Sequence, residues 1–406
     1  MRRIVITGMG AISACGMGAE PLWQAMRDGR SAIAPLVSPD PAAQLRMKVA
    51  AQLRDFDPTA HFDSARLGLL DRTGQMCLVA AREAVAQAGI DFGRDGLAAR
   101  TATVIGTGVG GEIARDEQGR KVHGEGSSRV HPLSIVRMMP NAPASHLSIE
   151  FGVTGPAFGV VSACASSNHA VIQAAAMLRS GLVDAALVGG TESCFSLPGL
   201  RAWEAMRVVA DDTCRPFCKQ RRGMVLAEGA GVFVLETLEH ARARGATILA
   251  ELAGFGMSAD AGDIVAPSAD GAAQAIRAAL DDAGLAPEQV GYINAHGTAT
   301  PANDPTETRA IRQVFGAHAE RLAVSSTKGV HGHALGAAGA LELIAAIGAL
   351  REDILPPTAN FLDADPACDL DYVPNTARAQ RVDAVLSNSF AFGGLNAVLA
   401  LRRCED

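Results

Sequence analysis

Aromatic residues make up only 4% of this 406-residue chain, with 2 Trp, 2 Tyr and 13 Phe. A core short of large rings has to be closed by small side chains. The 43 glycines point the same way, to helices lying close on sheets. Basic residues are not in excess either. Lys and Arg total 36 against 43 Asp and Glu, a formal charge of −7. That argues against nucleic acid as a partner, because a phosphate-binding surface needs surplus positive charge. The 8 cysteines are scattered without paired spacing. Cys214 and Cys218 are separated by Arg215-Pro216-Phe217, which is not a zinc-knuckle spacing. A reduced cytoplasm fits that pattern. Long apolar runs are missing as well. Ile4-Val5-Ile6 is far short of the roughly 7–15 apolar residues of a secretory signal. No window reaches the roughly 18 of a membrane span; residues 335–350 come nearest but carry Glu342. The sequence predicts a soluble protein with no membrane partner.

What is present is an alternation of strands and helices, the signature of an α/β sheet with helices on its faces. Arg3 to Thr7 reads as the first strand. Gly8-Met9-Gly10-Ala11-Ile12-Ser13 then mimics a dinucleotide fingerprint, but Ser13 stands where the third glycine belongs and no acidic partner follows. Gln75 to Gly89 reads as a helix and Ala102 to Gly106 as a strand. Residues 112–137 are polar and irregular, as loops that cap a site or fill an interface are. After the helix Leu238 to Arg244 the pattern restarts, with strand Ile248 to Gly254, helix Gly271 to Ala283 and strand Val290 to Ala295. That restart divides the chain into residues 1–250 and 251–406. No linker marks the division, so the halves are expected to pack as one body.

The organising stretch is Phe158 to Ser167. A short β-rich run ends in small residues, delivers Cys164, and passes into a helix from Ala165 to Arg179. A cysteine at such a turn faces unpaired N–H groups and a positive helix end, which favour a thiolate and an adjoining oxyanion. It could equally be a small buried hydrophobe. Three further strand ends carry polar groups: Asn294-Ala295-His296-Gly297-Thr298-Ala299-Thr300, then Ser326-Thr327-Lys328 with His331 and His333, and Asn388-Ser389-Phe390 with Phe392-Gly393-Gly394. Open α/β sheets place their sites beyond such ends. Each residue alone has a plain structural reading, and the histidines as metal ligands lack a convincing fourth partner. One thiol, two histidines and a lysine, each at a strand end, form the informative conjunction.

Ser162-Ala163-Cys164, Asn294 to Thr298, Ser326-Thr327-Lys328 with Gly332-His333, and Asn388 to Phe390 with Phe392 to Gly394 resemble the β-ketoacyl-acyl-carrier-protein synthases. The resemblance is to the type II, Cys–His–His branch and runs from Ile4 to Leu401. It implies a thiolase-like fold: two similar α/β halves forming a five-layered αβαβα body, and a homodimer. It also implies a partner, the acyl carrier protein, with no cofactor and no metal. Carried over, Cys164 takes the acyl chain. The N–H groups of Cys164 and Phe392 form the oxyanion hole, and His296 and His333 serve malonyl decarboxylation. Lys328 tunes that site, with Glu342 and Asp304 in support. Thr298 and Thr300 contact the pantetheine arm, Phe392 gates the acyl pocket, and Val109 lies near its floor.

The chain departs from the family where substrate and partner are read. Gly329-Val330-His331 replaces Ser-Met-Thr after the lysine, and Ala391 and Leu395 replace Gly and Thr in the gate loop. Residues 64–72 lack the usual basic run for carrier docking. Arg201, Arg207, Arg215, Lys219, Arg221 and Arg222 form the densest basic candidate, with Arg207 matching a family docking arginine and Arg66 and Arg72 as additions. Around Ala202 to Arg207 and Asp212 to Phe217 the chain resembles the nodulation-type synthases. A thiolase needs a second cysteine in the C-terminal glycine loop, and residues 387–396 hold none. Type III synthases use Cys–His–Asn, against which Lys328 and His333 speak. A non-catalytic chain-length partner subunit lacks the nucleophile that Cys164 supplies.

Overall fold

The computed structural model describes residues 2–404. Its first strand, β1 (Ile4–Ser13), is buried throughout. It includes the Gly8 to Ser13 stretch, which the sequence placed after a first strand ending at Thr7. The reason is packing. Helix α1 (Arg72–Ala88) lies directly on the strand, and a Cβ at Gly10 would stand 2.1 Å from the Ala80 carbonyl. The glycines admit a helix to a sheet and leave no phosphate cradle there.

The first half continues with β2 (Thr101–Gly106), α2 (Glu112–Gly119), β3 (Ala157–Val160), α3 (Ser166–Ser180), β4 (Ala185–Glu192), α4 (Leu197–Met206) and β5 (Gly229–Thr237). The second contains β6 (Ala250–Ala259), α5 (Ala269–Ala283), β7 (Val290–Asn294), α6 (Asn303–Phe315), β8 (Ala323–Ser325), α7 (Lys328–His331), α8 (Ala338–Glu352), β9 (Ala384–Ala391) and β10 (Leu395–Arg402). Residues 112–137 are irregular only between 125 and 133. They hold α2, a π-helical turn at 120–124 and a helix at 134–138.

From the centre outward the first half runs β1, β5, β4, β2, β3 and the second runs β6, β10, β9, β7, β8. Both therefore place their strands in the order first, fifth, fourth, second, third, with matching directions. The inner pairs are antiparallel and the outer ones parallel. This is the internal repeat that residue identities alone do not disclose. The halves meet where Ile4–Ile6 of β1 pair with Ala250–Leu252 of β6.

Helices α3 and α8 pack on each other and on strands of both halves, α1 covers β1 and β5 on the outside, and α5 covers β6 and β10. The layers are thus αβαβα. Helix α8 is buried from Ala338 to Leu350, which explains its apolar run without a membrane; no helix of the described residues is long and apolar enough to cross one. Its Glu342 faces a polar partner inside the core. Small residues make these approaches possible. A Cβ on Gly106 would lie 2.4 Å from the Ser166 backbone, so β2 carries the start of α3 at contact distance.

Candidate active site

Strand β3 stops at Val160, and a single turn, Ala163–Ala165, joins it to α3. Ala163 takes φ 49°, a left-handed conformation that costs an L-residue roughly 1–2 kcal/mol. Ser166 holds the turn: its Oγ accepts from the Ser162 N–H at 2.9 Å and donates to the Ala163 carbonyl at 2.7 Å. Bent in this way, the chain aims Cys164 into a cavity of about 180 Å³ that His296, His333, Thr298, Thr300 and Phe392 also line.

The second half reaches that cavity through register. In the parallel strands, Asn294 of β7 pairs with Ser325 of β8 and with Ser387 of β9. His296 and Lys328, just beyond the ends of β7 and β8, therefore emerge beside Asn388 of β9. Cys164 Sγ and one ring nitrogen each of His296 and His333 lie within 4.8 Å of one another. The two rings meet edge to face, centroids 5.4 Å apart.

Their hydrogen bonds assign the tautomers. His333 Nδ1 accepts from the Leu335 N–H at 3.2 Å. Lys328 Nζ lies 3.5 Å from His296 Nδ1 and donates to the His296 carbonyl at 2.5 Å. With both Nδ1 atoms accepting, the proton of each neutral ring sits on Nε2. Burial, then the Lys328 charge and a neighbouring histidine, holds both imidazoles well below their usual range. They are neutral donors at physiological pH. The same spacing would suit metal ligands, but the ammonium beside His296 opposes a cation there.

The expected low-lying thiolate is corrected. Burial pushes the Cys164 thiol up to about 12, with Lys328 pulling the other way and Glu192 and Glu342 adding to the rise. Desolvation is the largest cause, with Cys164 only 4% exposed. Cys164 rests as a thiol that must give up its proton as it reacts. Inactivation by iodoacetamide should accordingly rise about tenfold per pH unit from pH 7 to 9. A rate already flat below pH 7 would mean a standing thiolate–imidazolium pair.

Lys328 is fully buried and paired with Glu342, itself fully buried. Asp304 accepts from the Phe217 N–H at 2.6 Å and the Ala299 N–H at 3.1 Å, and burial lifts its carboxyl to about 7. Glu307 went unnoticed in the sequence. Its oxygens accept from the His296 and Gly297 N–H groups, both at 2.8 Å, and from Asn388 at 3.1 Å. One carboxylate thus ties two strand ends together. Its only sequence signal is position, four residues after Asn303 on α6.

Phe392 follows β9, and the positive φ angles of the gate loop fall on Gly393 (84°) and Gly394 (68°). Ala391 is strand, paired with Leu395, so in this conformation no left-handed strain falls on it. A second clasp also escaped the sequence: the Gly393 N–H donates to the Ile264 carbonyl at 2.9 Å and the Asp260 N–H to the Gly394 carbonyl at 2.9 Å. Thr298 and Thr300 share a hydroxyl contact of 3.0 Å at the cavity wall.

Other expected residues lie elsewhere. Val109 does not reach the Cys164 cavity; it lines a separate groove of about 890 Å³. His331 turns away too, its Nε2 bonded to Thr327 Oγ1 at 2.9 Å. Among the basic candidates, Arg72 is committed to Glu228, with bonds of 2.6 and 2.8 Å, and to the Leu53 carbonyl. Its charge is already neutralised internally, which removes it as a docking group. Arg66 pairs with Glu150, Arg215 with Asp212 and Arg221 with Asp365. Arg207 and Lys219 are exposed.

A thiol beside two neutral N–H donors can carry an acyl group and stabilise negative charge arising on a nearby oxygen. Those are the demands of an acyl-transferring, carbon–carbon condensing enzyme. Residues 1–241 match the beta-ketoacyl synthase N-terminal domain and residues 249–362 its C-terminal domain. The chain belongs to the beta-ketoacyl synthase family, and it is an acyltransferase. It is 48% identical to Nodulation protein E of Rhizobium sp. (strain N33) over 402 residues, 99% of each chain. To 3-oxoacyl-[acyl-carrier-protein] synthase 2 of Coxiella burnetii it is 41% identical over 413 residues, 100% of this chain and 99% of that one. Among solved structures, the ishigamide ketosynthase/chain length factor superposes with TM-score 0.93 at 37% identity, covering 100% of both chains. A type II polyketide ketosynthase in complex with its acyl-carrier protein gives 0.89 at 28% identity, again over 100% of both.

Proposed function

We propose that this chain is a 3-oxoacyl-[acyl-carrier-protein] synthase working by ping-pong acyl transfer. The observation that carries the reading is one thiol and a ring nitrogen of each of two neutral histidines converging within 4.8 Å. Cys164 Sγ attacks the carbonyl of an acyl-carrier thioester, and its proton leaves with the carrier thiol. The backbone N–H groups of Cys164 and Phe392 hold the oxyanion. Malonyl-carrier then enters, with Thr298 and Thr300 along the pantetheine arm, and loses CO2. His296 and His333 donate to the enolate oxygen. The enolate carbon attacks the acyl-enzyme carbonyl, the C–S bond breaks, and the departing Cys164 sulfur takes a proton from water; the product is a fatty or polyketide chain longer by two carbons. Residues 1–250 supply the nucleophile, and residues 251–406 supply the histidines, Lys328, its support from Glu342 and Asp304, and the gate.

A chain-length partner subunit, the other reading, would not need this thiol aimed at two donors. A homodimer is supported by the open edge of β3 and by exposed apolar residues of the first half, including Ile135 at 66% and Val161 at 55%. The direct test is mass analysis of the intact protein after incubation with acyl-carrier. The acyl mass should appear on Cys164 and disappear on adding malonyl-carrier, with β-ketoacyl product formed. No acyl mass on Cys164 would remove the proposal.

Carrier proteins of this class are acidic, so docking on a net-negative chain needs a local basic patch. Arg207, exposed at the end of α4 near the cavity residue Val208, is the strongest remaining candidate, with Arg66 secondary to it. Arg207→Glu should raise KM for the carrier substrate by about tenfold, and leave transfer from a small acyl thioester unchanged. An unaltered KM would take Arg207 out of the interface.

A further inference from the structure

His333 donates through Nε2 only while its Nδ1 is held as an acceptor, and the group that holds it is the Leu335 N–H at 3.2 Å. That N–H belongs to a tight turn, Leu335–Ala337, which leads into α8. Leu335 takes φ 45°, a left-handed conformation that an L-residue keeps only where its surroundings impose it. Here the restraints come from the other half of the chain. Glu192, the last residue of β4 and fully buried, accepts from the Gly336 N–H at 3.0 Å. The Ser167 hydroxyl, on α3, donates to the Gly336 carbonyl. Both peptide units that follow Leu335 are thereby pinned. The fit is close: a Cβ on Gly336 would lie 2.3 Å from the Gly108 nitrogen and 2.6 Å from Glu192 Oε2. Glu192 is itself fixed, accepting from the Gly108 N–H at 2.5 Å and from the Thr107 hydroxyl at 3.0 Å.

We propose that Glu192 is a positioning residue for His333: through the Gly336 N–H it sets the turn that aims the Leu335 N–H at Nδ1, and so keeps the proton on Nε2. Ser167 completes the clamp on the carbonyl side of Gly336. The inference rests on the reading of His333 as a donor to the enolate oxygen. A neutral imidazole carries its proton on either nitrogen, and a fixed donor facing Nδ1 is what selects the Nε2–H form. Acylation of Cys164 does not depend on this clamp. Its oxyanion is held by the backbone N–H groups of Cys164 and Phe392. Beyond burial, the Glu192 charge adds to the rise of the Cys164 thiol, so its removal does not hinder loss of the thiol proton. Loss of Glu192 therefore spares acylation and strikes decarboxylation. A residue that served folding alone would reduce both steps together.

The test compares the full-length enzyme with Glu192→Ala, Glu192→Gln and Ser167→Ala. CO2 release from malonyl-carrier should fall by about 10²-fold in Glu192→Ala, in kcat rather than KM. Glu192→Gln should stay near the parent rate, because its amide oxygen still accepts the Gly336 N–H while its NH2 turns to the Thr107 hydroxyl. Ser167→Ala leaves the bonds of Glu192 in place and should lose about tenfold, the size of one neutral hydrogen bond; it carries the test if Glu192→Ala does not fold. The rate of Cys164 acylation by butyryl-carrier, followed by intact mass, should be unchanged in all three. In 15N spectra of histidine-labelled enzyme, with the His333 signal assigned by its loss in His333→Gln, the parent and Glu192→Gln should show the Nε2–H tautomer. Glu192→Ala should show a mixture of both. Unchanged CO2 release, an equal loss of acylation and decarboxylation, or an unmixed Nε2–H signal in Glu192→Ala would overturn this inference alone. Full CO2 release by His333→Ala would instead remove His333 as a donor and take this inference with it.

Discussion

Cys164→Ala should abolish condensation, by on the order of 10⁴-fold or more, while leaving malonyl decarboxylation in place. The two halves of the reaction use different atoms. Carrying the acyl chain needs the sulfur, and Cys164 is the one thiol that lines the cavity. Losing CO2 needs only donors for the enolate oxygen. These are His296 and His333, whose Nε2–H tautomers are fixed by Lys328 and by the Leu335 N–H, not by Cys164. Release of CO2 from malonyl-carrier by the alanine variant, with no β-ketoacyl product, is the expected result. Adding His333→Ala to that variant should lower CO2 release by about 10²–10³-fold, the usual effect of removing one preorganised donor. Elongation by the Cys164→Ala enzyme would falsify the assignment of the nucleophile.

Lys328→Met should be strongly destabilising, at about 3–5 kcal/mol near neutral pH. Lys328 and Glu342 are both fully buried and answer each other's charge. Removing the ammonium leaves a carboxylate among apolar residues of α8. The sign with pH follows. Burial already pushes Glu342 up, and Lys328 is what pulls it down. Without Lys328 the native state holds a proton that the unfolded chain has released. Stability is then retained at acidic pH and lost as pH rises through neutrality. Denaturant unfolding of the variant at pH 5.5 and 7.5 measures this. Lys328→Met with Glu342→Leu should recover most of the stability, because an apolar pair replaces the buried charges. Activity should not return, since His296 Nδ1 still lacks its donor. A double variant no more stable than Lys328→Met would show that the pair does not account for the loss.

How much was legible depended on how far apart in the chain the interacting residues are. The turn at Cys164 could be read locally, because small residues, a cysteine and a helical run adjoin in sequence. So could each of the three later strand ends. Glu307 could not: it is an acidic residue on a helix until α6 is folded against the ends of β7 and β9, where it receives N–H groups from His296 and Gly297. Arg72 failed in the opposite direction. Beside Arg66 it looked like a surface charge, and only folding brings it to Glu228. The 112–137 segment misled because its helices are short and polar, without the apolar period that a longer helix shows.

By itself, the sequence determined the chemistry and the class of fold. Residue types at strand ends limit which atoms can act, and the alternation of apolar strands with small-residue helices limits how they can be layered. Tertiary structure alone decided the ionisation states and the distances. Cys164 became a high-pKa thiol, and His296 and His333 became neutral donors, because both halves close over them and desolvation grows with burial rather than with sequence neighbourhood. It also decided that Phe392 meets Trp203. Those rings belong to different halves, 189 positions apart by their numbers, 392 less 203, and no local pattern records a contact made by packing one half against the other.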